Sequence, residues 1–146
     1  VLSEAKRSAE VTHNHPEGIK GAQAIALAIY LARKGVVKEI IGSTITKRFG
    51  YSLSSSIEEL QETNIFDETC QGSVPDAFIC FMNSTDFEDC IRTSIAIGGD
   101  SDTIACMAGS IAEAYYGLDK KWIQFADDHL NDELKHVVKE FYTKYM

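Results

Sequence analysis

The feature that most constrains the fold is the spacing of apolar residues, which recur every three to four positions along most of the chain. Ile25, Ala28, Ile29 and Ala32 share one helical face, and Val37, Ile40, Ile41 and Ile45 repeat the period. No alternating strand pattern runs beyond a few residues. Only Pro16 and Pro75 interrupt the backbone donors, so long helices are permitted. These features predict an all-α protein. The first strong helix opens at His15-Pro16-Glu17, with Asn14 or His15 as its cap, and closes at Gly35 after the basic pair Arg33-Lys34. A second covers about 36–49 and stops at Gly50. Residues 51–74 read as a long connection with a short helical turn at 57–62. Helical signal returns over 75–83 and 86–97, the latter capped from residues 83–85. A small-residue helix through Ala105, Ala108, Ile111, Ala112 and Tyr115 ends at Gly117. A last amphipathic pattern runs from Trp122 to Tyr145, and its Trp122, Phe125, Leu130, Leu134 and Val138 are expected to face the core.

A chain of 146 residues suits one domain, residues 1–146, with its own hydrophobic core. Its 14 Lys and Arg against 22 Asp and Glu leave a net charge of −8. That balance argues against a nucleic-acid partner, because such proteins gain affinity by releasing counterions with clustered cations. The longest apolar stretch, residues 24–32, is about half of what a membrane span needs, so no membrane partner is expected. Cys70, Cys80, Cys90 and Cys106 are too widely spaced for a zinc site and sit in too large a chain for a disulfide scaffold. Cys90 and Cys106 are expected to act as small hydrophobes in a reducing, cytoplasmic setting. The chain opens on Val1, not Met, and is expected to be the latter part of a longer polypeptide.

Two clusters carry chemistry. Gly98-Gly99-Asp100-Ser101-Asp102-Thr103 places two flexible residues, then two carboxylates and two hydroxyls, at the mouth of a helix. One reading is a helix cap, in which oxygens satisfy orphan amides and negative charge suits the helix end. The other is an oxygen-rich site for a hard divalent cation such as Mg²⁺, with Asp100, Asp102 and Thr103 as ligands and further ligands from elsewhere. Thr12-His13-Asn14-His15-Pro16-Glu17-Gly18 is a second helix start. Its free amides also suit a phosphate or a sugar hydroxyl, and Gly18 and Gly21 allow close approach.

Read in order, 12–22, Gly72-Ser73-Val74-Pro75-Asp76-Ala77, the 98–103 block and the Ser110–Gly117 run form a series. The series resembles the ADP-ribosylglycohydrolase family over about residues 9–117. The resemblance implies a compact multi-helix fold that uses a pair of Mg²⁺ or Mn²⁺ ions to hydrolyse an N- or O-glycosidic bond. The bond joins ADP-ribose to a modified side chain or a small acceptor. It also implies that Asp100, Asp102 and Thr103 are metal ligands, Asp102 bridging the ions, and that His13, Asn14, His15, Gly18, Gly99 and Ser101 line the ADP-ribose cleft. The family's N-terminal helices, with their Thr-Asp-Asp ligands and its proposed catalytic acid, have no counterpart in this chain. The catalytic residue is therefore unassigned, and the binuclear site is expected to be completed from outside, by an N-terminal segment or by a second copy. The alternative is a truncated, inactive module that binds ADP-ribose or assembles through its helices. The pair Asp127-Asp128 reads as a solvated face or a helix cap, and His129 and His136 as surface residues.

Overall fold

The structure is a computed structural model that describes residues 1–63 and 65–145. Among the described residues it is entirely helical. The helices are α1 (Leu2–Glu10), α2 (Pro16–Arg33), α3 (Lys38–Phe49), α4 (Ile57–Thr63), α5 (Cys70–Asn83), α6 (Phe87–Ala96), α7 (Ser101–Tyr116), α8 (Lys120–His129) and α9 (Asp132–Tyr145). The all-α expectation holds, and no described helix is long and apolar enough to cross a membrane.

Local chemistry explains most of the boundaries. The His15 side chain caps α2 by accepting from the Glu17 amide, and Pro16 fills the first turn, where a missing N–H costs nothing. Gly50 ends α3 in the left-handed region at φ 75°, which is costly for residues with a Cβ. Ser56 and Glu59 form a reciprocal capping box at α4: Glu59 N–H donates to Ser56 Oγ, and Ser56 N–H donates to the Glu59 carboxylate.

Three expectations are corrected, and one helix had no counterpart among them. Helix α5 begins at Cys70, five residues before Pro75, because the Thr69 hydroxyl accepts from Gly72 N–H and starts the helix upstream. Pro75 is carried inside it at the loss of one helical donor. The cap of α6 is Asp86, whose carboxylate accepts from Asp89 N–H, not residues 83–85. Helix α1 carries no buried residue, and with only Leu2, Ala5 and Ala9 apolar it escaped notice. The C-terminal pattern is two helices broken at Leu130, and no residue of either is buried. Phe125 is 57% exposed, Leu134 49% and Val138 43%, while Trp122 and Leu130 are half-buried. The period was helical, but the side it marks is uncovered.

The core is formed by Ala24, Ala28 and Ala32 of α2, Ile41 and Ile45 of α3, Val74 and Ala77–Phe81 of α5, and Ile104, Ala108, Ile111 and Ala112 of α7. Small residues let these helices approach closely: a Cβ on Gly109 would stand 2.6 Å from Ile91 Cδ1 of α6. Cys80 and Cys90 are buried and behave as core hydrophobes, whereas Cys106 is exposed, against expectation. All four thiols are free.

The direction of the helices fixes where a site can form. A Cβ on Gly21, early in α2, would meet Cys70 Sγ and Val74 Cγ2, early in α5, at 3.2 Å. At the other end the Tyr116 hydroxyl of α7 donates to the Ser84 carbonyl just past α5, at 2.6 Å. Ile29 and Arg33 of α2 share a cavity with Ser110, Glu113 and Gly117. Helices α2, α5 and α7 therefore run parallel, and their N-termini lie at one end of the bundle. The partial positive charges of three helix dipoles gather there.

Candidate functional site

Both sequence clusters stand at that N-terminal end. The loop before α2 is folded on itself: His15 N–H donates to the His13 carbonyl at 2.8 Å, and His13 N–H donates to Ala9 at 2.7 Å. Gly18 packs so closely beneath it that a Cβ would lie 2.9 Å from the His13 carbonyl oxygen. His13, Asn14, His15 and Gly18 line one cavity of about 530 Å³ together with Glu17 and the start of α5, Thr69, Cys70 and Gln71. A second cavity of about 530 Å³ adjoins it, shares His13, Gly18 and Cys70, and runs between α1 and α2 toward Met107 of α7. The volumes suit a nucleotide-sized ligand.

Residues 98–103 form a separate lobe of this end and line neither cavity. Gly98 and Gly99 both take the left-handed conformation, at φ 77° and 68°, and turn the chain sharply into α7. Asp100 occupies the cap position but makes no side-chain capping bond. Asp102 and Thr103 are exposed, Asp100, Ser101 and Gly99 half-buried. Hydrogen bonding with the Asp100 carboxyl group, and then the Thr103 amide donating to Asp102 Oδ1 at 3.0 Å, hold the Asp102 carboxyl below the usual carboxylate range. Thus Asp100 is not spent as a cap, and two acidic side chains, one half-buried and one exposed, share the turn. That donor set fits a hard divalent cation, because clustered oxygens repel each other until a cation neutralises them. Among the described residues, no third His, Cys, Asp or Glu joins them.

Sequence reasoning missed Thr69, Cys70, Gln71 and Met107 as cavity walls. The Thr69-to-Gly72 cap spacing was the available signal for the first three; Met107 had none. Tyr51, in the turn after Gly50, is only 5% exposed, and its hydroxyl is buried with no hydrogen-bond partner among the described residues. The Lys20 ammonium lies 4.5 Å from its ring centroid, and burial holds the phenol well above its ordinary pKa. Tyr115 and Tyr116 pack edge-on against the Phe81 ring, at 5.5 and 6.5 Å between ring centres. His129 and His136 are exposed, and Asp127 pairs with Lys135 at 3.4 Å on the surface.

The fold and these two clusters define an all-α protein with an acidic helix-start turn and, at the same end of the bundle, a cleft walled by the His13–Gly18 loop. The sequence model of the ADP-ribosylglycohydrolase family matches residues 1–145, and the chain belongs to that family. The match extends past Gly117, through α8 and α9. ADP-ribosylhydrolase ARH3 of Mus musculus is 31% identical over 80% of this chain and 44% of its own length. ADP-ribosylarginine hydrolase Tri1 of Pseudomonas putida is 24% identical over 83% of this chain and 35% of its own. A solved structure titled ADP-ribosylglycohydrolase-related protein complex superposes with a TM-score of 0.67 at 26% identity, over 84% of this chain and 46% of that one. The chain spans about half the length of the relatives it matches.

Proposed function

We propose that this chain contributes the Asp100–Thr103 metal lobe and the His13–Gly18 cleft of a Mg²⁺-dependent (or Mn²⁺-dependent) ADP-ribosyl hydrolase. The enzyme removes ADP-ribose from a modified side chain or small acceptor by cleaving an N- or O-glycosidic bond. The observation that carries the reading is that both clusters lie at the end of the bundle where α2, α5 and α7 begin. Helix starts favour the diphosphate of ADP-ribose, and the carboxylates favour the cations. Asp100, Asp102 and Thr103 hold the ions, which would position a water and lower its pKa. His13, Asn14, His15, Gly18, Gly99 and Ser101 orient the ADP-ribose. Ligands from outside the chain, in a preceding segment or a second copy, complete the binuclear shell. Four free thiols suit a reducing, cytoplasmic setting.

A second reading is a module that binds ADP-ribose without turning it over. It is favoured by one observation: no third acidic or imidazole ligand joins Asp100 and Asp102 among the described residues. Incubation with an ADP-ribosylated arginine mimic and Mg²⁺ separates the two. Chelator-sensitive release of ADP-ribose supports the hydrolase. Binding of ADP-ribose without release, in the chain and in the chain mixed with a complementing N-terminal half of a relative, supports the module.

A further inference from the structure

His13 lines both cavities, so the position of its ring proton decides what it offers a ligand. Thr12 Oγ1 stands 2.8 Å from His13 Nδ1. A hydroxyl can donate or accept across that distance, whereas a neutral imidazole nitrogen does one or the other. Among the described residues the Thr12 hydroxyl has no other protein partner. Donation to Nδ1 is therefore the arrangement that gives its proton a protein acceptor. His15 shows the same pattern without ambiguity. The Glu17 amide, which can only donate, faces His15 Nδ1 at 3.3 Å, so the neutral His15 ring carries its proton on Nε2.

We propose that Thr12 is a positioning residue for the cleft: its hydroxyl donates to His13 Nδ1 and fixes His13 as the neutral Nε2–H tautomer. His13 then has no free lone pair for a metal ion. What it offers is an N–H donor, matched to acceptor-only oxygens such as those of a phosphate. Together with His15 it makes the loop a pair of neutral donors, and cation binding stays with the carboxylates of the Asp100–Thr103 turn. The choice of ADP-ribose as the ligand rests on the proposed function. The tautomer does not.

Long-range ¹H–¹⁵N correlation spectra of the ¹⁵N-labelled chain at about pH 8, above the ordinary imidazole pKa, test the inference directly. The expected spectrum shows His13 protonated at Nε2 and hydrogen-bonded at Nδ1. Thr12→Val should move the Nδ1 resonance to the position of a free acceptor, and Thr12→Ser should restore it. The backbone amide spectrum confirms that each variant is folded. A wild-type Nδ1–H tautomer, or an Nδ1 resonance unmoved in Thr12→Val, overturns the proposal. Calorimetric titration with ADP-ribose adds a second arm. Thr12→Val should bind about 5-fold to 10-fold more weakly, the loss of roughly one hydrogen bond to the ligand, and Thr12→Ser should match wild type. Equal affinity in all three contradicts the positioning role. Absence of binding by the wild type instead counts against the proposed function, and the tautomer arm then decides the inference alone.

Discussion

The Lys38 ammonium lies 4.9 Å from the centre of the Phe81 ring, in a pocket closed by Tyr115 and Tyr116, and donates to the Ser84 and Met82 carbonyls. One cation at the start of α3 thereby caps the carbonyl end of α5, where the helix dipole is negative, and ties both helices to α7. Replacing it with methionine keeps the apolar stem but leaves carbonyls and aromatic faces without their cation. Lys38→Met should lower stability by about 2 kcal/mol, the sum of a lost charge-assisted bond and a cation–π contact. Lys38→Arg should lose less. Urea denaturation followed by circular dichroism measures both.

Gly18 and the His13 carbonyl set opposing effects against each other. Alanine in a helix is worth about 1 kcal/mol more than glycine. At Gly18, however, its Cβ would fall 2.9 Å from the His13 carbonyl oxygen, a backbone atom that cannot step aside alone. Gly18→Ala should therefore keep overall stability within about 1 kcal/mol while moving the cleft loop. The expected result is a melting temperature within a few degrees of wild type and a loss of ADP-ribose affinity of about 10-fold, equivalent to roughly 1.4 kcal/mol.

Burial pushes the Cys80 thiol up to about 12 and the Cys90 thiol up to about 11, from an ordinary value of 9.0. The folded state holds these protons more tightly than the unfolded chain does. Their contribution to stability is thus complete below about pH 9 and is lost as pH rises toward 11 and 12. Chemical denaturation midpoints should fall steadily above about pH 9. At neutral pH a thiol reagent should label exposed Cys106 first, half-buried Cys70 more slowly, and Cys80 and Cys90 only on unfolding.

Phe78 and Phe125 test the corrected C-terminal stripe. Phe78 is fully buried in α5, and Phe125 is 57% exposed in α8. Phe78→Ala should cost about 4 kcal/mol, as large core truncations do, while Phe125→Ala should cost under about 1 kcal/mol. Thermal unfolding of the two variants measures the contrast.

Much of this architecture was legible in the sequence because its signals are local. The His15-Pro16-Glu17 start, the Gly50 stop and the apolar period of α2, α3 and α7 depend on residues a turn apart. So does the Gly98-Gly99 turn that presents Asp100 and Asp102. What was not legible is set by distant partners. The sequence could mark Phe125, Leu134 and Val138 as one helical side, but not whether anything covers it. It could place Tyr51 near a turn, but not that burial would leave its hydroxyl without a partner among the described residues. Cys70 and Met107 became cavity walls only because α5 and α7 run parallel to α2, a relation that no local pattern encodes.

In the proposed function, Asp100 and Asp102 hold divalent cations that support ADP-ribose binding. Isothermal calorimetry of the chain with Mg²⁺, in the presence and absence of ADP-ribose, tests it most directly when wild type and Asp102→Asn are compared. Mg²⁺ binding should strengthen with ADP-ribose in the wild type and disappear in Asp102→Asn, with both proteins folded by circular dichroism. Mg²⁺ binding of equal strength in the two proteins, or ADP-ribose binding indifferent to Mg²⁺, would contradict it.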